Sequence, residues 1–355
     1  MTQGCAGPRR RHPSRIAPWV ACLLLACGTE QPVSMRLLTW NIGNPDAEDP
    51  HYAFRLTHQA YEDLVRDRIR TRAADVVFLQ EVLSPHYCEG FVESSPSRTC
   101  HDAANRAPPI RRLLGPDYSI VCDGRRHVEC IGVRTSFGAI AGVPRGGLVL
   151  DGAETAPLPL AACDRLRAEC SDERCDGEST VSTATVEMAS GKVRLVHVHP
   201  MAPGKTEAGL FWGEPCRYRQ LQQAFEGFRD DGKRNEPRIV AGDFNLDPVR
   251  LIGEREAALW SMHVGEGRRF RDLTPRAPNG AQYGTWRGSL GITIDHVLVE
   301  RARGTCTVHG HGIGPDPGTD PLDAGFEWSQ LPDGERRTAR IDHFAITCEI
   351  ALNLR

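Results

Sequence analysis

A chain of 355 residues can bury a sizeable core and fits one large domain or two ordinary ones. Its 40% hydrophobic and 25% charged residues are the mix of a soluble globular protein. With 43 basic residues against 46 acidic ones the formal net charge is −3, which excludes a whole-surface electrostatic footprint for tight nucleic-acid binding and leaves room only for a local basic patch.

The N-terminus differs from the rest. Arg9, Arg10, Arg11 and Arg15 precede the apolar segment Ile16 to Ala26, which is too short for a membrane span and right for a secretory signal. It ends Leu24-Leu25-Ala26-Cys27, which resembles a bacterial lipobox with Cys27 as the lipid-modified first residue. Residues 1–26 are thus expected to be a lipoprotein signal peptide; an ordinary signal peptide is the alternative. Cleavage removes those four arginines and no acid, taking the formal net charge from −3 to −7. The mature protein is then expected at a bacterial membrane, periplasmic or cell-surface, held there through lipidated Cys27. Of 13 cysteines, those at 88, 100, 122, 130, 163, 170, 175, 216, 306 and 348 remain. An even, high count on an exported chain predicts disulfides, with Cys88–Cys100, Cys122–Cys130 and Cys306–Cys348 the expected bridges. A zinc clip at Cys170 and Cys175 is the alternative for that pair.

After a tether at 27–34, residues 35–355 read as one domain. "MRLLTWNIG" is a strand ending in a turn, and Tyr52 to Ala74 is helical, with Leu56, Ala60, Leu64 and Ile69 on one stripe. "DVVFLQEV" is a strand buried on both faces until Gln80 and Glu81. Residues 84–112 read as loop, "YSIVC" and "ECIGVRT" as strands, and 144–178 as a disulfide-stapled surface excursion. "STVSTATVEM" and "KVRLVHVHP" predict a hairpin turning at Ala189-Ser190-Gly191-Lys192. "CRYRQLQQAFEGFRDD" is a helix, with Leu221, Ala224, Phe225 and Phe228 inward. The strand "RIVAG" follows and emits Asp243 and Asn245, two apart and so on one side of an extended chain. "TIDHVLVE" and "RIDHFAITCEIAL" are the last two strands.

Several of these strands begin or end in an acid, an amide or a histidine: Asn41, Glu81, His199, Asp243, Asn245, Asp295, Asp342 and His343. Packed strands bring such ends together on one rim, where ligands bind in sheet proteins. Hard oxygens without thiolate suit Mg²⁺, with Mn²⁺ or Ca²⁺ as alternatives, rather than zinc. Metal, carboxylates, amide and imidazole are the set that hydrolyses a phosphate ester.

In this pattern the chain resembles the endonuclease/exonuclease/phosphatase superfamily, the metal-dependent phosphoesterases related to pancreatic-type deoxyribonuclease. "TWNIG", "FLQEV", "VHVHP", "GDFN", "TIDHVLV" and "IDHFAI" stand in the family's order. The resemblance implies an α/β fold, a four-layer sandwich of two packed, mostly antiparallel sheets flanked by helices. It also implies roles. Glu81 would be the principal metal ligand, assisted by Asn41 and Asp342. Asp243 and Asn245 would orient the attacking water and the phosphate. His343, held by Asp295, would transfer a proton or stabilise charge, and His199 would contact the phosphate or the leaving group. The chain departs from the pattern at Pro200, where leucine is usual, and at Ile341, where serine is. His197 occupies the family's asparagine position, either supporting the site or structural; His296 and Trp286 read as structural.

The function implied is an exported Mg²⁺-dependent phosphodiesterase, a monomer acting on nucleic acid or on a phospholipid head group. The Cys-Arg-x-x-Gln-Leu pattern at 216–221 is similar to the helix of bacterial sphingomyelinases. The alternatives are a sugar- or inositol-phosphate phosphatase, a zinc protein using His197 and His199, and a surface lipoprotein that keeps the fold but only binds.

Overall fold

Strands of β-branched and aliphatic residues alternate here with two long amphipathic helices, and that alternation builds two sheets back to back. In the computed structural model, described at residues 32–43, 59–83, 99–101, 106–123, 127–150, 154–155, 180–200, 202, 204–205, 211–212, 214–227, 236–250, 252–275, 285, 292–309 and 343–354, the first sheet opens with β1 (Val33–Asn41), α1 (Gln59–Arg72) and β2 (Val76–Leu83). It continues with α2 (Pro109–Leu114), β3 (Tyr118–Cys122) and β4 (His127–Arg134). Short strands β5 (Ala139–Ile140), β6 (Leu148–Val149) and β7 (Glu154–Thr155) lead to the hairpin β8 (Thr180–Met188) and β9 (Gly191–His199). A small pair, β10 (Gly204–Lys205) and β11 (Phe211–Trp212), precedes α3 (Glu214–Glu226) and β12 (Arg238–Asp243). The chain ends with α4 (Glu254–His263), β13 (Arg271–Asp272), β14 (Asp295–Glu300), β15 (Ala302–Val308) and β16 (Ile346–Leu352).

One sheet runs β15-β16-β1-β2-β4-β3-β6 and the other β13-β14-β12-β9-β8-β5, with β7 also paired to β8. Most neighbours are antiparallel. Two central pairs, β1–β2 and β9–β12, are parallel, each joined by a helical crossover, α1 and α3. Alternation along each strand sorts side chains into layers. Met35 and Leu37 of β1 face Ile239 and Ala241 of β12 in the core between the sheets. Leu38 and Trp40 face Tyr61, Val65 and Ile69 of α1 on one outer side, and Val240 faces Leu221 and Phe225 of α3 on the other. The result is the four-layer sandwich that the sequence led us to expect.

Local differences have local causes. α1 begins at Gln59 among the described residues, and residues 52–58 lie outside them. The hairpin turns tightly at Ala189 and Ser190, because Gly191 already pairs with Met188. α2 begins inside the segment read as loop and runs two residues beyond it, with Pro109 at its first turn, where a missing N–H costs nothing. β15 carries an alternating exposed pattern on an edge and has too few apolar residues to be seen as a strand. Among the described residues no helix is long and apolar enough to cross a membrane.

Two disulfides link directly opposed residues of neighbouring antiparallel strands, Cys122–Cys130 across β3–β4 and Cys306–Cys348 across β15–β16. Cys100 is also disulfide-bonded, while Cys88, Cys163, Cys170 and Cys175 lie outside the described residues. The bridges close loops of 8 and 42 residues in sequence separation, worth about 2.5 and about 4 kcal/mol on the loop-entropy account. Reduction and alkylation should therefore lower the melting temperature. An unchanged transition, or peptide mapping that finds these four cysteines as free thiols, would contradict both the bridges and export to an oxidising compartment.

Candidate active site

Parallel pairing places the C-terminal ends of neighbouring strands side by side. Asn41 at the end of β1 pairs with Gln80 in β2, and Val198 in β9 pairs with Gly242 in β12. The antiparallel β12–β14 pair then sets Asp243 directly beside Asp295. These ends meet across the gap between the sheets.

Asn41 is buried, and its amide nitrogen donates to Glu81 Oε1 at 3.0 Å and to Asp243 Oδ2 at 3.1 Å. Its carbonyl oxygen accepts the Gly43 N–H at 2.9 Å, which fixes the amide's orientation. One side chain thus ties a carboxylate of the first sheet to a carboxylate of the second. Glu81 reaches this place through a β-bulge, where the β2–β4 register slips between Leu79 and Val82. Its φ of 56° is uncommon for a residue with a side chain, and such strain concentrates where a side chain must be re-aimed.

The turn "GDFN" has its own requirements. Gly242 has φ of 143°, and a Cβ there would lie 2.0 Å from the Val198 carbonyl oxygen, so only glycine fits. Asp243 Oδ1 accepts the Asn245 N–H at 2.7 Å, and Asn245 takes a left-handed φ of 48°. The chain is therefore not extended here, and the same-side alternation expected of Asp243 and Asn245 does not apply. Asn245 instead donates from Nδ2 to the Pro200 carbonyl at 2.9 Å. Arg217 of α3 clamps the turn from behind, with Nη1 on the Asn245 carbonyl at 3.1 Å and a buried two-point pair to Glu256 of α4 at 2.6 and 2.9 Å.

Two imidazoles close on Asp243. His343 donates from Nδ1 to Asp295 Oδ2 at 3.0 Å and sets Nε2 3.6 Å from Asp243 Oδ2. Its carbonyl accepts Trp40 Nε1–H at 3.2 Å. Thr285 holds both partners, accepting Asp295 N–H on its hydroxyl and Phe344 N–H on its carbonyl. His199 sets Nε2 3.6 Å from Glu81 Oε1 and 3.8 Å from Asp243 Oδ2, with Nδ1 2.6 Å from Glu129 Oε1.

Glu129 was not singled out in the sequence. It sits in β4 between Val128 and Cys130, which pair with Val82 and Leu79, so it faces the bulge that carries Glu81. Two bulged residues opposing one is a structural signal that "ECIGVRT" alone does not display. Burial lifts the Glu129 carboxyl to about 7 despite the opposing pull of His199. Burial pulls the His199 imidazole down, but Glu129, Asp243 and Glu81 outweigh it and push it up to about 10. Between those values the pair is carboxylate and imidazolium. Burial also raises the Asp243 carboxyl, with His343 lowering it and Asp295 raising it again.

Of the eight residues singled out in the sequence, Asp342 lies outside the described residues and the other seven lie at this rim. His296 points away, between Asp272 and the Leu246 and Thr293 carbonyls, and packs on Phe244 and Trp260. It is structural, as read. Trp286 lies outside the described residues. Asp243, Asp295 and His343 each offer one ligand atom within 4.8 Å of the others. With Glu81 this is a donor set of three carboxylates and one imidazole, free of thiolate, whose hard oxygens fit a divalent cation of the Mg²⁺ class.

The model of the Endonuclease/Exonuclease/phosphatase family matches residues 38–320. No curated protein sequence gives a significant match. Among solved structures, truncated TDP2 from Caenorhabditis elegans is 16% identical, with a TM-score of 0.51 over 90% of this chain and 98% of that one. TDP2 from D. rerio complexed with single strand DNA product is 15% identical, with a TM-score of 0.51 over 89% and 98%. An endonuclease/exonuclease/phosphatase family protein from Bacteroides thetaiotaomicron is 15% identical, with a TM-score of 0.51 over 91% and 97%. At such identities these likenesses concern the fold.

The close approach at Gly242 makes the turn testable without any substrate. Gly242→Ala should cost about 3 kcal/mol or more in chemical denaturation, since β9 and β12 must separate to admit the methyl group. Stability equal to that of the unsubstituted protein would contradict this packing.

Proposed function

Since the chain belongs to the endonuclease/exonuclease/phosphatase family, whose members are hydrolases of phosphate esters that typically use divalent metal ions, we propose that it is an exported, Mg²⁺-dependent phosphodiesterase. The observation that carries this reading is the convergence on one oxygen. Asn41, His199 and His343 all direct a nitrogen at Asp243 Oδ2, and Asn41 and His199 also reach Glu81 Oε1. Such a site can hold a phosphate between two carboxylates and two imidazoles.

Glu81 would hold the cation, assisted by Asp342, while Asn41, whose amide nitrogen donates to Glu81 and whose oxygen accepts the Gly43 N–H, would fix that carboxylate rather than ligate as the resemblance implied. A bound Mg²⁺ would supply Lewis-acid stabilisation of charge on the phosphoryl oxygens. Asp243, oriented by the Asn41 amide and the Asn245 N–H, places the attacking water. Asn245, fixed by Pro200 and Arg217, orients the phosphate. The water oxygen bonds to phosphorus as the ester P–O bond breaks; the water gives up one proton and the departing oxygen takes one up. His343 serves that transfer because Asp295 holds Nδ1 and leaves Nε2 facing the reacting groups. His199, kept cationic by Glu129, offers positive charge to the phosphate or the leaving oxygen. The signal-like N-terminus supports export with a lipid anchor at Cys27, which favours a substrate outside the cytoplasm.

A panel of plasmid DNA, RNA, sphingomyelin, phosphatidylcholine and inositol phosphates, with and without Mg²⁺, identifies the ester. On the substrate found, Glu81→Gln should weaken Mg²⁺ binding and recover part of its rate with added Mg²⁺. His343→Ala should lose about 10²–10⁴-fold in turnover and recover nothing, and Asp295→Asn should show a milder form of the same loss. Full activity in His343→Ala, or equal metal rescue of Glu81→Gln and His343→Ala, would contradict these roles.

A further inference from the structure

Beneath His199 lies a second group of polar side chains, of which the proposed reaction uses only Glu129. Gln80, Glu129, Ser182 and His197 are each no more than 1% exposed, and they come from β2 and β4 of one sheet and from β8 and β9 of the other. Ser182 stands directly opposite His197 in the hairpin register, so the two side chains share a face. The Gln80 amide nitrogen meets His197 Nε2, with Thr39 Oγ1 also 3.4 Å away. His197 Nε2 is 3.8 Å from Glu129 Oε2, and its ring meets Phe78 edge to face.

Four atoms of this group have no hydrogen-bond partner among the described residues: Gln80 Oε1, Glu129 Oε2, Ser182 Oγ and His197 Nδ1. Buried polar atoms are nearly always satisfied, by protein or by ordered water, so unpaired atoms on four neighbouring buried side chains point to ordered water among them. Their chemistry is complementary. An amide nitrogen only donates, so His197 Nε2 accepts and the ring proton sits on Nδ1. Burial, and then the charge on His199, push the His197 pKa down to about 3, so the ring is neutral. The group thus offers two donors, Nδ1–H and the serine hydroxyl, and two carbonyl-type acceptors. A water molecule that accepts from the first two can donate to Glu129 Oε2, whereas Gln80, bound at the Nε2 edge of the ring, serves to set the His197 tautomer.

We propose that His197 is a positioning residue that, with Ser182 and Gln80, builds a buried water site holding Glu129 Oε2 and thereby fixing Glu129 Oε1 on His199. The consequence for activity rests on the reading of His199 as a phosphate or leaving-group contact. Without this support Oε2 is a buried acceptor with nothing to bind, and the carboxylate is free to turn away from the imidazole.

The test uses full-length His197→Phe, His197→Asn, Ser182→Ala and His199→Ala proteins, with kinetics on the phosphodiester found above and ¹⁵N-histidine spectra of the His199 Nδ1–H. His197→Phe keeps a ring against Phe78 and removes the donor; Ser182→Ala is a mild change if the first variant fails to fold. Both should lower kcat by about 10–100-fold with little change in KM. His197→Asn, which keeps a donor, should recover most of that loss. The Nδ1–H signal should shift in the first two and stay in the third. Folded variants that keep their kcat and leave the signal unmoved would overturn the proposal. Should His199→Ala retain the full rate, the reading of His199 fails, and the Nδ1–H signal alone decides the positioning role. A high-resolution crystal structure without a water in reach of Glu129 Oε2 would also overturn it.

Discussion

Two carboxylates of like charge, Glu81 on one sheet and Asp243 on the other, share the two protons of a single buried amide, that of Asn41. This arrangement is costly unless the surroundings compensate it, because burial and like charge both disfavour ionised acids. The compensation is visible. His199 and His343 direct their Nε2 atoms at the same Asp243 oxygen, and each is held at Nδ1 by its own acid, Glu129 or Asp295. Two imidazole–carboxylate pairs therefore flank one negative centre, and the family's typical use of divalent metal ions supplies a reason to retain so much charge there.

The backbone around that centre is specialised to the same end. Parallel β1–β2 and β9–β12 pairs bring four strand ends to one rim, and the crossovers α1 and α3 supply the outer layers that cover them. Gly242 permits β12 to approach the Val198 carbonyl, the bulge in β2 re-aims Glu81, and Asn245 takes a left-handed conformation that opens its N–H to Asp243. These three departures from regular geometry fall at the rim. Arg217 and Glu256 then lock the turn to two helices, so the strain is borne by buried, two-point hydrogen bonds.

What could be read in the sequence was whatever local pattern encodes. The apolar runs "LLTW", "VVFL" and "RIVA" announced buried strands, and the polar residues at their ends announced a site, because both signals lie within a few neighbouring residues. Glu129 carries as much of the site as His199 does, yet it stayed hidden. Nothing near it in the chain distinguishes it from a solvated charge, and its partner is 70 residues away across the sheets. The helix α4 was missed for a related reason: two of the three side chains it buries, Glu256 and His263, are polar, and its main bond to the site is the Glu256 pair with Arg217. Ser182 is likewise silent until the register sets it opposite His197.

A divalent cation held on Glu81 would complete this negatively charged rim. The most direct measurement is the melting temperature of the purified mature protein as Mg²⁺ is raised, compared with that of Glu81→Gln. A cation that binds only the folded state stabilises it by about 2.7 kcal/mol at a hundred times its Kd. The account predicts a melting temperature that climbs with Mg²⁺ in the unsubstituted protein and stays nearly flat in Glu81→Gln. A melting temperature indifferent to Mg²⁺ in both, or rising equally in both, would contradict it.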